Sequence, residues 1–195
     1  MPRPLKKSLL LWTRTLHIYG SMFALLAICF FAATGFLLNH PTWFDLERSQ
    51  IGERDAVVPE ALATGEDRLA LVEYLREHEG ARGVVKSYSR TDERTVINFT
   101  GPGRTTEFTV SQPTGDTAVR TETRNALATL GDLHKGKYTG TIWPLVIDAT
   151  AWFLILVSAT GLVLWLSLAK RRTLGWVAVG ASVAIAALVV LVWLP

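Results

Sequence analysis

Residues 16–38 read LHIYGSMFALLAICFFAATGFLL, and this apolar run decides the fold class. The run contains no acid, lysine or arginine, and His17 is its only histidine. Its 23 residues would span about 34 Å as a helix, more than the hydrocarbon core of a bilayer. Residues 141–168, which contain one acid, Asp148, and residues 174–194 are also apolar and long enough to span. The sequence therefore predicts a membrane protein with three transmembrane helices.

The charges predict the orientation of these helices. Outside residues 41–141 the chain has seven basic residues, at the N-terminus and in residues 169–173, and one acid. Residues 41–141 carry 13 basic and 16 acidic residues, a net charge of −3. Because positive segments stay in the cytoplasm, we expect a bacterial inner-membrane protein with a cytoplasmic N-terminus. Residues 41–141 and the C-terminal Pro195 are then periplasmic. A cleaved signal peptide fits the first run poorly, since the run is too long.

The periplasmic segment is predicted to be a small α+β unit. Residues 66–79 place leucines along one side of a helix. Residues 83–89, 94–100 and 105–110 alternate as strands do, and a fourth strand would run through Thr121. Residues 41–65 are expected to be irregular and residues 122–133 to form a short helix. The predicted domains are 1–40, the N-terminus and first transmembrane helix; 41–133, the periplasmic α+β domain; and 134–195, the other two transmembrane helices.

Several short motifs along nearly the whole chain resemble the PepSY-associated transmembrane family. They are Arg14-x-x-His17, Thr34-Gly-Phe-Leu-Leu-Asn-His-Pro41, Thr109-Val-Ser-Gln-Pro-Thr-Gly115, Leu133-His-Lys-Gly136, Trp143, Asp148 and Thr160-Gly-Leu-Val-Leu-Trp165. The resemblance implies a PepSY-like periplasmic domain, haem b and electron transfer. Larger relatives include haem-containing reductases that release iron from siderophores, and this chain is shorter than they are.

Three of the four histidines lie where a predicted transmembrane helix meets water, and border imidazoles are common haem ligands. His40 and His134 are predicted on the same side of the membrane, so neighbouring helices could hold one haem between them. Each could instead simply anchor a helix end. The resemblance favours ligation, with one haem b per chain. His78 is expected on a solvated helix face.

His17 is predicted a full bilayer away from His40, and the chain supplies no second histidine for it. A second haem there would need a ligand from another protomer or a partner subunit. The alternative is a histidine that reaches the headgroups beside Arg14. The sequence leaves these two interpretations of His17 open.

Asp148 lies inside a predicted span, where an unpaired carboxylate is costly. Its candidate partners are Lys135, Lys137 and the ring of His134, and a carboxylate that reaches up to water is the alternative. Two Ala-Thr-Gly segments, one with Thr34 and Gly35 and the other with Thr160 and Gly161, remove side-chain bulk. Helices or a flat macrocycle could approach closely at both segments.

Motifs for other chemistries are missing from the sequence. It has no dinucleotide-binding glycine motif after a strand, no phosphate-binding loop and no cysteines or histidines at the spacing of a zinc site. Its basic residues are explained by membrane topology, so they do not indicate nucleic-acid binding. We expect a haem b electron-transfer module, a reductase or a subunit of one, as a homodimer or in a larger complex. Its donor would be a quinol or a reductase and its acceptor a periplasmic ferric siderophore. The competing hypothesis is a membrane-anchored peptide-binding or protein-binding regulatory module without a cofactor.

Overall fold

The computed structural model describes residues 5–168, 170 and 172–193. Arg3, Arg171 and Pro195, which enter the orientation prediction, lie outside the described residues. The described residues form two compact units: those up to 27 with those from 149 onward, and residues 28–148. Three helices are long and apolar enough to cross a membrane, α1 (Leu5–Asn39), α5 (Ile142–Ser167) and α6 (Arg172–Trp193). This confirms the predicted three-helix membrane class with an inserted α+β domain.

The inserted domain contains one antiparallel sheet of five strands. They are β1 (Ser49–Val57), β2 (Val84–Arg90), β3 (Arg94–Gly101), β4 (Arg104–Ser111) and β5 (Asp116–Arg124). Their order across the sheet is β1-β5-β4-β3-β2, which leaves β1 and β2 at the edges. Inward side chains alternate along the central strands, as in a sheet with one buried face.

Two short helices cover that buried face. They are α2 (Glu60–Thr64) and α3 (Arg68–Glu77), and Asp67 caps α3 by accepting hydrogen bonds from two backbone N–H groups. Leu71 and Leu75 of α3 are fully buried against Phe99 and Phe108, whose rings meet edge to face at 5.6 Å. Burial of each such side chain contributes about 1.5–3 kcal/mol, so this core holds the domain together without a disulfide.

The predicted helix at residues 66–79 and the four predicted strands are confirmed in position. The prediction of an irregular segment at 41–65 is wrong, because β1 and α2 lie there. The strand was missed because it is an edge strand with mostly exposed, polar side chains, and its hydrogen bonds to β5 define it. The predicted helix at 122–133 begins later, since β5 continues to Arg124 and α4 spans Ala126–Lys135.

Candidate functional site

His17 contacts a second membrane helix through its ring. Its Nδ1 lies 3.1 Å from the carbonyl oxygen of Val157 and 3.1 Å from Oγ1 of Thr160, both in α5. A Cβ added to Gly161 would come within 2.9 Å of the ring carbon Cε1, so the absence of a side chain there admits the imidazole. These four residues, His17, Val157, Thr160 and Gly161, form what we call the His17 site.

The hydrogen bonds of the His17 site fix the tautomer of the ring. A carbonyl oxygen only accepts, so Nδ1 must donate its proton to Val157. The hydroxyl of Thr160 also donates to Val157, at 2.6 Å, and so cannot donate to the ring. In the neutral imidazole, Nε2 is therefore the nitrogen that has the lone pair. A second-shell bond of this kind orients metal-binding histidines.

Helices α1 and α5 come close enough for this contact because Gly20 lies against Val157. A Cβ on Gly20 would be 3.0 Å from the Val157 side chain, and Phe23 meets Phe153 edge to face at 5.4 Å. Small residues at such a crossing let helix backbones approach in a membrane. The His17 site thus follows from the packing of two membrane helices.

His134 makes an equivalent contact in the other unit, from the last turn of α4. Its Nδ1 lies 2.6 Å from Oγ1 of Thr34 in α1, and a Cβ on Gly35 would be 3.7 Å from its Cε1. Thr34 is 4% exposed, and its hydroxyl donates to the carbonyl oxygen of Phe30 at 2.6 Å. With that proton directed at Phe30, a neutral imidazole donates from Nδ1 to Thr34 and has its lone pair on Nε2. We call His134, Thr34, Gly35 and Phe30 the His134 site.

Two features position α4. Gly131 faces Leu38 of α1, whose Cδ2 would be 2.8 Å from an added Cβ, so a side chain at 131 would require Leu38 to move. Asp132 is 5% exposed; its carboxylate accepts the Gly103 N–H at 3.0 Å and forms an ion pair with Arg124. Asp132 therefore ties α4 to β5 and to the turn before β4, two residues before His134.

The remaining histidines bond only within their own segments. Nδ1 of His40 donates to the Phe36 carbonyl at 3.0 Å, and the ring packs against Phe36 and Trp43. His78 is at the end of α3 and donates in the same way to Tyr74. A bond to the carbonyl four residues earlier is common in any helix. His17 and His134 differ because their partners lie 143 and 100 residues away.

Two predicted supporting residues lack partners. Arg14 and Asp148 are exposed, and among the described residues neither makes a hydrogen bond or ion pair. Asp148 therefore does not contact Lys135, Lys137 or His134 in this structure. The sequence also did not predict Asp132 as a residue that positions α4, or Thr34 and Thr160 as the direct partners of the histidines. The sequence did contain a signal for the two threonines, because each belongs to an Ala-Thr-Gly segment, and in the structure each of these segments contacts one histidine ring.

The described residues contain no cluster of three or more histidine, cysteine, aspartate or glutamate side chains that could hold a metal ion. A single imidazole with a free Nε2 fits a haem iron, whose other ligands come from the macrocycle and from a second axial residue. In comparisons with known proteins, a family model described as "Putative PepSY_TM-like" matches residues 11–195. No curated protein and no solved structure matches the chain.

Proposed function

The chain belongs to the PepSY_TM-like family, and from this premise we propose that it is a haem b electron-transfer protein of the bacterial inner membrane. Electrons would pass from a quinol or a reductase to a periplasmic acceptor such as a ferric siderophore. A bound haem would supply the one-electron carrier, because its iron cycles between ferric and ferrous states. The chain would act as a reductase or as one subunit of a reductase.

One observation carries this proposal: the rings of His17 and His134 each contact, through Nδ1, a threonine of another helix. In a neutral ring this contact places the proton on Nδ1 and the lone pair on Nε2. That tautomer is the one an iron ligand needs, and the threonine partner would hold the ring in place. Glycine beside each ring leaves room that a larger side chain would fill. His134 and His40 would together hold one haem. His17 would hold a second one with a histidine of another protomer or subunit.

The test is the visible spectrum of protein purified from a haem-replete host. We expect a Soret band and the sharp reduced bands of low-spin haem. His134→Ala and His40→Ala should each remove the same low-spin signal or convert it to high spin, because one axial ligand is lost. His17→Ala should leave that signal intact and lower the haem content per chain if a second haem is present.

His78→Ala is the matched control, since this exposed histidine bonds only within its own helix. Its spectrum and haem content should equal those of the wild type. A colourless preparation that also fails to take up added haemin would refute the proposal. Haem content that is lost in the His78 variant as much as in the His134 variant would refute the assignment of ligands.

The proposed orientation places residues 41–141 in the periplasm and Lys170 in the cytoplasm. The charge distribution supports it, because basic residues are concentrated outside residues 41–141. Single cysteines in a Cys29→Ser background test it with a thiol reagent that does not cross membranes. Cysteines in residues 66–112 should react in intact spheroplasts, and a cysteine at 170 only after lysis. The reverse pattern would overturn the orientation.

A peptide-binding or protein-binding module without a cofactor is the second candidate. The edge position of β1 favours it, since a nine-residue strand with exposed Ile51 and Val57 pairs on one side only, with β5. An extended peptide could add there as a further strand. The haemin titration separates the two functions, because this module would neither be coloured nor take up haemin.

A further inference from the structure

An apolar cavity of about 430 Å³ lies in residues 28–148, away from the contacts of the His134 ring. Its volume is in the range of small-ligand sites. Its lining includes the start of β2, the turn before β4, Leu133 of α4, and the turn that leads into α5. The residues used below are Gly83, Val84, Pro102, Leu133, Tyr138 and Trp143.

The cavity is built by backbone that only particular residues tolerate. Gly83 has a φ of +98°, and a Cβ there would lie 2.4 Å from the Thr100 carbonyl oxygen. Tyr138 has a φ of +59°, a left-handed conformation that is unfavourable for most residues other than glycine, asparagine and aspartate. The Trp143 indole N–H is bonded to the Leu133 carbonyl at 2.8 Å, which fixes the ring at the cavity. These contacts hold the two aromatic side chains in place.

The cavity borders the first turn of a helix that is long and apolar enough to cross a membrane. Trp143 is the second residue of this helix, α5. Tryptophan and tyrosine concentrate at membrane–water interfaces because their rings are amphipathic. An occupant of the cavity is therefore a molecule that the bilayer itself presents.

Charge identifies the class of that molecule. The lining residues lie within three sequence segments, 80–86, 100–105 and 133–143. These segments contain five basic residues, which flank the lining residues along the chain, and no acid, although residues 41–141 carry 16 acids and a net charge of −3. Lys86 lies over the Tyr138 ring, 5.5 Å from its centre. The other four basic residues are Arg82, Arg104, Lys135 and Lys137.

We propose that this cavity binds an acidic phospholipid of the surrounding bilayer, with acyl chain against Trp143 and phosphate near Lys86. Basic residues beside an apolar surface at the interface recognise such lipids, each contributing about a fivefold factor in affinity. A zwitterionic lipid would fill the same apolar space without this gain. The inference does not depend on haem, so it stands or falls separately from the proposed function.

The experiment uses the full chain, delipidated in a neutral detergent and titrated with dioleoylphosphatidylglycerol or dioleoylphosphatidylcholine. Bound lipid is counted by native mass spectrometry, and the Tm is recorded in parallel. We expect one tightly bound phosphatidylglycerol, preferred at least fivefold over phosphatidylcholine. Lys86→Gln should weaken phosphatidylglycerol binding about fivefold. Tyr138→Asn, which keeps a residue that accepts the left-handed conformation, should weaken both lipids.

Arg94→Gln is the matched control, because it removes an exposed charge from the other end of β3, away from Pro102. It should leave the affinity for both lipids unchanged. Equal affinity for the two lipids would overturn the proposal, and so would equal losses in the Lys86 and Arg94 variants. Displacement of the bound lipid by decylubiquinone at equimolar concentration would assign the cavity to a quinone instead.

Discussion

Replacement of Thr34 by valine tests the role of the His134 site most directly. Valine has nearly the shape of threonine but lacks the hydroxyl, so Thr34→Val removes the 2.6 Å bond to Nδ1 and leaves the packing of α1 in place. Loss of a partner that orients a metal-binding histidine lowers metal affinity by about 10–100-fold. This factor corresponds to about 1.4–2.8 kcal/mol. We expect haemin affinity, measured by titration of the apo-protein at the Soret band, to fall within that range.

Nitrogen chemical shifts of the His134 ring provide a measurement that needs no haem. In the wild type, the Thr34 hydroxyl donates to Phe30 and forces the proton onto Nδ1. Without this acceptor the Nε2–H tautomer should become populated. Thr34→Ser is the control, because it keeps the hydroxyl and should keep both the tautomer and the affinity. Unchanged shifts and unchanged haemin affinity in Thr34→Val would refute the reasoning.

Three further substitutions have expected outcomes. Gly161→Ala should displace the His17 ring, because its Cβ would lie 2.9 Å from Cε1, and should lower the stability in detergent by about 1–3 kcal/mol. Gly180→Ala is the control and should leave the stability unchanged, since an added Cβ there meets nothing within 4 Å. Equal changes of Tm in the two variants would contradict the role of Gly161. Asp132→Asn should destabilise the domain by about 2 kcal/mol, since it weakens a buried charged hydrogen bond. Amide hydrogen exchange in α4 should become faster, and an unchanged exchange rate would show that Asp132 does not hold α4 in place. Asp148→Asn should leave the haem spectrum unchanged, because this exposed carboxylate makes no hydrogen bond or ion pair among the described residues; a changed spectrum would show that it acts on a ligand.

The sequence predicted the membrane helices and the central strands because their signals are local. A single apolar run of 23 residues such as 16–38 can make all its backbone hydrogen bonds within itself in a bilayer only as a helix. Alternation in β3 and β4 shows directly which side chains face the core. Strand β1 could not be predicted in this way. Its polar residues become a strand only when β5 supplies hydrogen-bond partners 59 to 75 positions away.

The sequence by itself determined which residues could form a site: the few histidines at membrane borders and the two Ala-Thr-Gly segments. Only the tertiary structure decided which ring meets which threonine. His134 meets Thr34 because Gly131 lets α4 approach the end of α1, and His17 meets Thr160 because Gly20 lets α5 approach. These contacts join residues more than 90 positions apart. Their geometry depends on helix packing, which local patterns along the chain do not encode.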